Sequence, residues 1–171
     1  MNTPSMSGSG SPSAMTGAEY KKHFEELLPA LLAQAGAGLG VEKLREESCL
    51  APEIEDQQAE TNWVGKVTGP VADTASANSA LDRVAGWLDA EGWEKQNEVS
   101  YPPEEGGEVR SMVYSKDSVG LTATYRRAAA PMVEILVSTP CMDNPPEHRM
   151  QRSEQDPDYG LSSQYYEDGA S

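Results

Sequence analysis

The sequence predicts an α+β domain in which one or two helices pack on one face of an antiparallel sheet of four to five strands. In two segments, residues 20–32 and 77–88, apolar side chains recur every three to four positions, which is the period of an amphipathic helix. After residue 94, short apolar runs alternate with turn-forming residues, which is typical of an antiparallel meander. Helices on one face of such a sheet bury both kinds of apolar surface against each other.

Length and composition predict one domain with tails. The chain has 171 residues, which is room for a single domain of ordinary size. Hydrophobic residues make up 37% of it, below the roughly 45–50% of typical globular chains, and the shortfall lies at the two ends. We therefore expect a flexible Ser/Gly/Pro linker over residues 1–18, a single α+β domain over 19–141, and an acidic, largely disordered tail over 142–171.

The N-terminal part of the domain is expected to be helical. Pro29 lies inside the first apolar stripe and removes a backbone donor, so we expect a kink or a restart of the helix there. A glycine-rich cluster at residues 35–40 ends this segment, and a short second piece over residues 41–47 extends the helical region towards Cys49. The apolar stripe consists of Tyr20, Phe24, Leu27, Leu28, Leu31 and Leu32.

A second helix is predicted at residues 74–91. Asp73 or Thr74 can cap its start, and Gly92 can take the left-handed conformation that ends it. One strand precedes this helix, and four follow it in an antiparallel meander. The predicted strands lie within residues 62–70, 97–101, 109–115, 119–127 and 132–138, with turns at residues 102–108, 116–117 and 128–131.

The two cysteines of the chain, Cys49 and Cys141, are predicted to form a disulfide. Each lies at the end of a predicted element, beside proline or charged residues rather than in an apolar run. The alternative is a pair of unrelated buried thiols. A disulfide indicates an oxidising compartment, which for a bacterial protein lies outside the cytoplasmic membrane.

The sequence contains no pattern that indicates catalysis, a metal or a cofactor. His23, His148 and the two cysteines lack the close spacing of zinc ligands. Nucleotide-binding glycine motifs and a nucleophile elbow are also absent from the sequence. We therefore expect a protein without enzymatic activity, metal or cofactor.

The acidic charge restricts the partners that can be expected. The chain carries 28 acidic and 13 basic side chains, for a net charge of −15, so the phosphates of nucleic acids and anionic lipids repel it. No apolar run reaches the roughly 18–20 residues of a transmembrane helix. We expect a monomer that binds a protein or a small apolar ligand of unknown identity. An apolar ligand would occupy a pocket between helix 74–91 and the sheet, lined by Trp87, Trp93, Tyr114 and Tyr125.

Two stretches carry a resemblance to a known group of proteins. They are "DTASANSALDRVAGWLDAEGWE" and, after a polar meander, "VEILVSTPCM". Together they resemble small lipoproteins of the actinobacterial cell envelope, such as the LppA-like proteins of mycobacteria, over about residues 44–145. The resemblance implies a secreted or membrane-anchored, non-enzymatic protein. The chain departs from the group because it begins without a signal peptide or an acylated cysteine, and the charged residues before Cys49 do not form a lipoprotein cleavage site.

These observations lead to two functional hypotheses. The first is a non-enzymatic binding or structural module of the bacterial cell envelope, secreted or membrane-tethered, which assumes that a signal sequence is missing from this chain. The second is a cytoplasmic acidic inhibitor or immunity-type protein that neutralises a basic partner, and it rests on the net charge of −15 and the acidic tail.

Overall fold

The computed structural model describes residues 15–36, 38–101, 108–127 and 130–167. Most of the predicted linker, residues 1–14, and most of the predicted turn at residues 102–108 lie outside the described residues, as do residues 128–129 of the turn before the last predicted strand. The elements are α1 (Gly17–Ala35), β1 (Gly40–Ser48), β2 (Glu60–Pro70), α2 (Thr74–Ala90), β3 (Glu94–Ser100), β4 (Glu108–Lys116), β5 (Val119–Arg126), β6 (Met132–Ser138) and β7 (Met142–Asp143).

The strands form one antiparallel sheet in the order β1-β2-β6-β5-β4-β3, and the short β7 pairs with the start of β2. Helix α1 contacts β1, β2 and α2, while α2 contacts β3 and β5, so both helices cover the same face. The predicted packing of helices on an antiparallel sheet is confirmed. The predicted number of four to five strands is wrong, because β1 and β7 add to the sheet.

Strand β1 replaces the helical piece predicted at residues 41–47. It pairs antiparallel with β2, so that Leu44 lies opposite Gly65. Leu44 and Glu46 are buried, and Arg45 between them points to the other side, which is the alternation of a strand. The prediction failed because the buried residue Glu46 is charged, so an apolar alternation cannot be read from the sequence.

Helix α1 begins at a capping box formed by Thr16 and Glu19, in which each residue satisfies a backbone N–H of the other. It continues through Pro29 to Ala35 without restarting. Within the ranges described above, no helix is long and apolar enough to cross a membrane. The buried residues of α1 are Tyr20, Phe24, Leu27, Leu28, Leu31 and Ala35, which include most of the predicted stripe.

Helix α2 begins where the sequence predicts. The side chain of Asp73 accepts a hydrogen bond of 2.7 Å from the backbone N–H of Ser76, and Gly92, after the last turn, has a φ of +85°. The buried face of α2 lies against β5. Its residues are Ala77, Ala80, Leu81, Val84, Ala85 and Leu88. Strands β3 to β6 follow in the predicted meander, and a turn with positive φ at Asp117 and Ser118 joins β4 to β5.

Cys49 and Cys141 form a disulfide with a Cα–Cα distance of 6.2 Å, across a sequence separation of 92. The predicted pairing is therefore present. Cys49 follows β1, and Cys141 lies between β6 and β7. The bond joins two neighbouring ends of the sheet, where the backbone N–H of Cys49 also bonds to the carbonyl of Glu60.

The C-terminal segment, residues 142–167, packs against the domain. The sequence predicts a largely disordered tail here, and this packing differs from that expectation. Met150, Arg152, Ser153 and Asp156 are buried. The backbone of the segment runs along the outer edge of β1. There the backbone N–H of Glu46 donates to the carbonyl of Gln151, and the backbone N–H of Ser153 donates to the carbonyl of Leu44. The segment therefore satisfies hydrogen-bonding groups that an edge strand would otherwise expose.

Candidate functional site

A cleft of about 460 Å³ opens where the N-terminus of α1 meets β1, β2 and the C-terminal segment. Its volume lies in the range of about 300–1,000 Å³ that is usual for small-molecule sites. The lining combines side chains of both charges, amides, an imidazole and three apolar side chains. The residues that line the cleft are Gly17, Ala18, Lys21, Lys22, Glu25, Glu46, Trp63, Met142, Asn144, His148 and Gln151.

Trp63 forms the floor of this cleft. It lies on the face of β2 that points to the helices, and its side chain is 1% exposed. Its backbone is held on both sides by Thr139, since the Trp63 N–H donates to Thr139 Oγ1 at 2.9 Å and the Trp63 carbonyl accepts from the Thr139 N–H at 3.0 Å. The indole Nε1–H donates to none of the described residues. This nitrogen lies beside Gly17, where an added Cβ would be 3.7 Å from it.

Glu46 forms the centre of a polar network in the wall of the cleft. Its Oε2 accepts hydrogen bonds of 2.8 Å from Thr61 Oγ1 and 2.8 Å from His148 Nε2. Asn144 Nδ2 donates to Thr61 Oγ1 at 2.8 Å and to the carbonyl of Gln58 at 2.9 Å. A buried carboxylate needs such partners to offset its lost hydration. The network therefore fixes the C-terminal segment against the sheet.

Glu25 lies at the rim and joins α1 to the C-terminal segment. Its Oε1 accepts from Lys21 Nζ at 2.6 Å and from Ser153 Oγ at 2.7 Å, and Gln155 donates to its backbone carbonyl at 2.8 Å. Partial burial raises the pKa of Glu25, but the hydrogen bonds from Lys21 and Ser153 and the charge of Lys21 outweigh burial, so the pKa lies below its ordinary value. Glu25 is thus held as a carboxylate.

Asp156 anchors the C-terminal segment behind the cleft. Its carboxylate accepts four hydrogen bonds of 2.8 Å, from the backbone N–H groups of Leu44 and Asp158 and from Nε and Nη2 of Arg45. Asp158 accepts a further bond of 2.9 Å from Arg45. Burial lowers the pKa of the Arg45 guanidinium, but the hydrogen bonds and charges of the two aspartates raise it overall above its ordinary value. Two parallel bonds from one guanidinium to one carboxylate fix orientation as well as distance.

The four residues of the predicted apolar pocket lie elsewhere. Trp93, Tyr114 and Tyr125 are buried in the main hydrophobic core, and Trp87 packs against it. The Tyr125 hydroxyl lies 3.1 Å from Thr74 Oγ1. None of the four lines the cleft or the smaller cavity of about 230 Å³, which is bounded by Ser48, Pro52, Gln57, Met150 and Tyr165.

Sequence reasoning missed the cleft because its wall comes from residues 142–151, which the composition assigned to a disordered tail. Among the described residues, one set of potential metal ligands lies close together, namely Cys49, Glu60 and Cys141. Their sulfurs are bonded to each other, so they do not offer thiolates to a metal. Cys49 and Cys141 are instead the sequence-predicted residues that the fold does bring together, close to the cleft residue Met142.

Comparisons with protein-family models, with curated proteins and with solved structures find no match to this chain. The resemblance to envelope lipoproteins therefore stays a prediction from the sequence.

Proposed function

We propose that the protein is a non-catalytic binding module that acts outside the cytoplasm, secreted from or tethered to the envelope of a bacterial cell. The observation that carries the proposal is the cleft, because one of its walls is a C-terminal segment tied to the sheet by a disulfide and by buried polar contacts. A preformed cavity loses little conformational entropy when a ligand enters it.

The disulfide supports the location outside the cytoplasm. Such bonds form and persist in oxidising compartments and are rare where glutathione and thioredoxin keep thiols reduced. Cys49 and Cys141 are separated by 92 residues, and closing a loop of this size stabilises a fold by roughly 4–5 kcal/mol in the chain-entropy model. The fold therefore depends on a bond that the cytoplasm does not favour. The assignment to a cell envelope rests on the sequence resemblance.

The hydrogen bonding of the lining supports binding rather than catalysis. A general base or acid must be able to reach the proton of a substrate. His148 Nε2 is instead occupied by Glu46, and Glu46 Oε2 also accepts from Thr61. Both side chains hold the C-terminal segment in place, so we assign them a structural role in shaping the cleft.

A blocking substitution tests the binding role of the cleft. A Cβ at Gly17 would meet only Trp63 Nε1 at 3.7 Å and Met142 Cε at 4.0 Å, so Gly17→Leu should project its side chain into the cavity without disturbing the backbone. We expect a library of small polar fragments, followed in ¹H–¹⁵N correlation spectra, to shift the signals of cleft residues such as Gln151. Gly17→Leu should abolish these shifts.

The matched control is Gly86→Leu on α2, where a Cβ would meet no atom within 4 Å. This variant should bind the same fragments as the unmodified protein. Fragments that shift only residues outside the cleft, or that bind Gly17→Leu as well as Gly86→Leu, would contradict the proposal.

A further inference from the structure

The smaller cavity lies apart from the cleft. Its volume of about 230 Å³ is below the roughly 300–1,000 Å³ of small-molecule sites, so it has room for a single side chain rather than for a whole ligand. One wall comes from the loop over residues 49–59, which joins β1 to β2, and the other comes from the C-terminal segment. The lining residues are Ser48, Pro52, Gln57, Met150 and Tyr165, and none of them lines the cleft.

Hydrogen bonds hold the loop and the floor of the smaller cavity in place. Gln57 Nε2 donates to the backbone carbonyls of Ala51 at 2.8 Å and Ile54 at 2.6 Å, which fixes the turn of the loop. Met150 forms the floor, since it is the most buried lining residue at 4% exposure, and its backbone N–H donates to Gln58 Oε1 at 2.8 Å. A cavity fixed in this way loses little conformational entropy when a partner binds.

Exposed apolar side chains are concentrated in the two segments that form this cavity. Tyr165 lines the cavity and is 43% exposed, and Ile54, in the loop, is 46% exposed. In the described part of the chain, five large apolar side chains are exposed, and four of them belong to the loop or to the C-terminal segment. Exposed apolar groups that are clustered in this way mark interaction surfaces, whereas scattered ones do not.

The rim of the cavity is negatively charged. Glu53, Glu55 and Asp56 lie in the loop between two lining residues, and none of the three forms an ion pair with a described residue. Arg149, beside Met150, is a cation at the other wall, where it donates to a backbone carbonyl at 2.8 Å. It offsets at most one of the three carboxylates, and residues 46–60 contain no lysine or arginine. The rim therefore attracts a positively charged partner.

From the cavity, its apolar surroundings and the charge of its rim we infer that it is a docking site for a basic segment of a partner protein. A bulky aliphatic side chain of that segment inserts between Met150 and Tyr165, and lysine or arginine residues on either side of it meet Glu53 and Glu55. A second copy of this chain is a poor occupant, because its net charge of −15 is repelled by the same rim. The inference adds a second site and does not depend on a ligand in the cleft.

Three acetylated pentapeptides separate the aliphatic anchor from the charge. The first has a central leucine between two pairs of lysines, the second has glycine in place of the leucine, and the third has serine in place of each lysine. At pH 7 and about 0.15 M salt, we expect the leucine–lysine peptide to shift the amide signals of Ser48, Gln57 and Met150 in ¹H–¹⁵N correlation spectra in a saturable way.

The other two peptides should bind less well. The glycine peptide should have a dissociation constant about tenfold higher, as expected when one leucine side chain is no longer buried. The serine peptide should cause no shift at the same concentration. A glycine peptide that binds as tightly as the leucine–lysine peptide would contradict insertion into the cavity, and a serine peptide that binds as tightly would contradict the choice of a basic partner.

Tyr165→Ala tests the apolar wall. It should raise the dissociation constant of the leucine–lysine peptide by about threefold or more, because the leucine loses part of its contact area, and it should leave that of the glycine peptide unchanged. The matched control is Tyr101→Ala, at a tyrosine that directly follows β3 and is 41% exposed. Equal effects of the two substitutions would overturn the assignment of Tyr165.

The double variant Glu53→Gln/Glu55→Gln tests the rim. It should raise the dissociation constant of the leucine–lysine peptide by about two- to tenfold, as expected for two exposed ion pairs. Asp89→Asn/Glu91→Gln, at the exposed end of α2, removes the same number of charges and should leave the constant unchanged. Equal effects of the two double variants would show a general attraction to an acidic protein and would overturn the docking site.

The variant Gly17→Leu separates this inference from the proposed function. Blocking the cleft should leave binding of the leucine–lysine peptide unchanged, because the two sites share no lining residue. If Gly17→Leu abolishes peptide binding, the peptide occupies the cleft and the second site is wrong. If the peptide does not shift the signals of the smaller cavity while fragments still bind the cleft, the inference fails and the proposed function stands.

Discussion

The imidazole Nε2 of His148 lies 2.8 Å from the carboxylate oxygen Oε2 of Glu46, and the Glu46 side chain is only 5% exposed. This contact joins the C-terminal segment to β1 across 102 residues of sequence. Because a buried carboxylate is costly unless it is hydrogen-bonded, Glu46 makes the position of His148 important for the stability of the whole domain.

Removing this imidazole should destabilise the fold. His148→Ala leaves Glu46 with one fewer donor, so the free energy of unfolding should fall by about 1–3 kcal/mol, measured by urea denaturation at pH 7. The control is His23→Ala on α1, which removes no hydrogen bond to a described residue. Equal losses in the two variants would contradict the structural role of the Glu46 contact.

Asp156 should contribute more to stability than Asp158, although both contact Arg45. The Asp156 side chain is 0% exposed and that of Asp158 is 47% exposed. Asp156→Ala leaves the Leu44 N–H and much of the guanidinium unpaired, so we expect a loss of about 2–4 kcal/mol. Asp158→Ala should cost less than about 1 kcal/mol. Urea denaturation gives both values.

The same pair of variants tests the packing of the C-terminal segment. In limited proteolysis, cleavage within residues 144–167 should be faster in Asp156→Ala than in Asp158→Ala. If neither variant changes the cleavage rate, the Arg45–Asp156 contact does not anchor the segment.

The pKa of Glu25 predicts a pH-dependent contribution to stability. Since its pKa in the fold lies below the ordinary value of 4.5, the carboxylate stabilises the fold above that value. The stabilisation should be lost as the pH falls through the lowered pKa. Measured by urea denaturation, the difference in unfolding free energy between the unmodified protein and Glu25→Gln should shrink below about pH 4.5. A difference that stays constant from pH 7 to pH 3 would contradict this account.

Gly69 should tolerate no side chain. A Cβ there would overlap the carbonyl oxygen of Gly38 and lie 2.7 Å from the Leu39 Cα. Because backbone atoms cannot move aside as a flexible side chain can, Gly69→Ala should cost about 1–3 kcal/mol in thermal or urea unfolding. Gly40→Ala is the control, since a Cβ at Gly40 meets nothing within 4 Å. A loss of similar size at Gly40 would show that steric overlap is not the cause.

Elements with apolar periodicity could be predicted from the sequence. Both helices and strands β2 and β4 to β6 carry apolar residues at helical or alternating spacing, so local patterns predict them, whereas β3 has Val99 as its one apolar residue. The disulfide could be predicted because the chain has two cysteines and each ends an element. In these cases, the residues that decide the structure lie close together in the sequence or have one possible partner.

Strand β1 and the C-terminal segment could not be predicted in this way. The buried face of β1 includes Glu46, whose partner His148 lies 102 residues away, and Arg45 binds Asp156 across 111 residues. Charged residues usually indicate exposure, and a single sequence does not reveal which distant charges pair. The cleft was missed for the same reason, because Glu46 and His148 both line it.

The proposed location outside the cytoplasm depends most directly on the oxidised state of Cys49 and Cys141 where the protein acts. The protein should be taken from its natural compartment, unfolded without reductant, and treated with a thiol-reactive reagent before mass analysis. We predict no free thiols, and two free thiols only after reduction. Two free thiols before reduction would contradict both the disulfide in the working protein and its proposed location outside the cytoplasm.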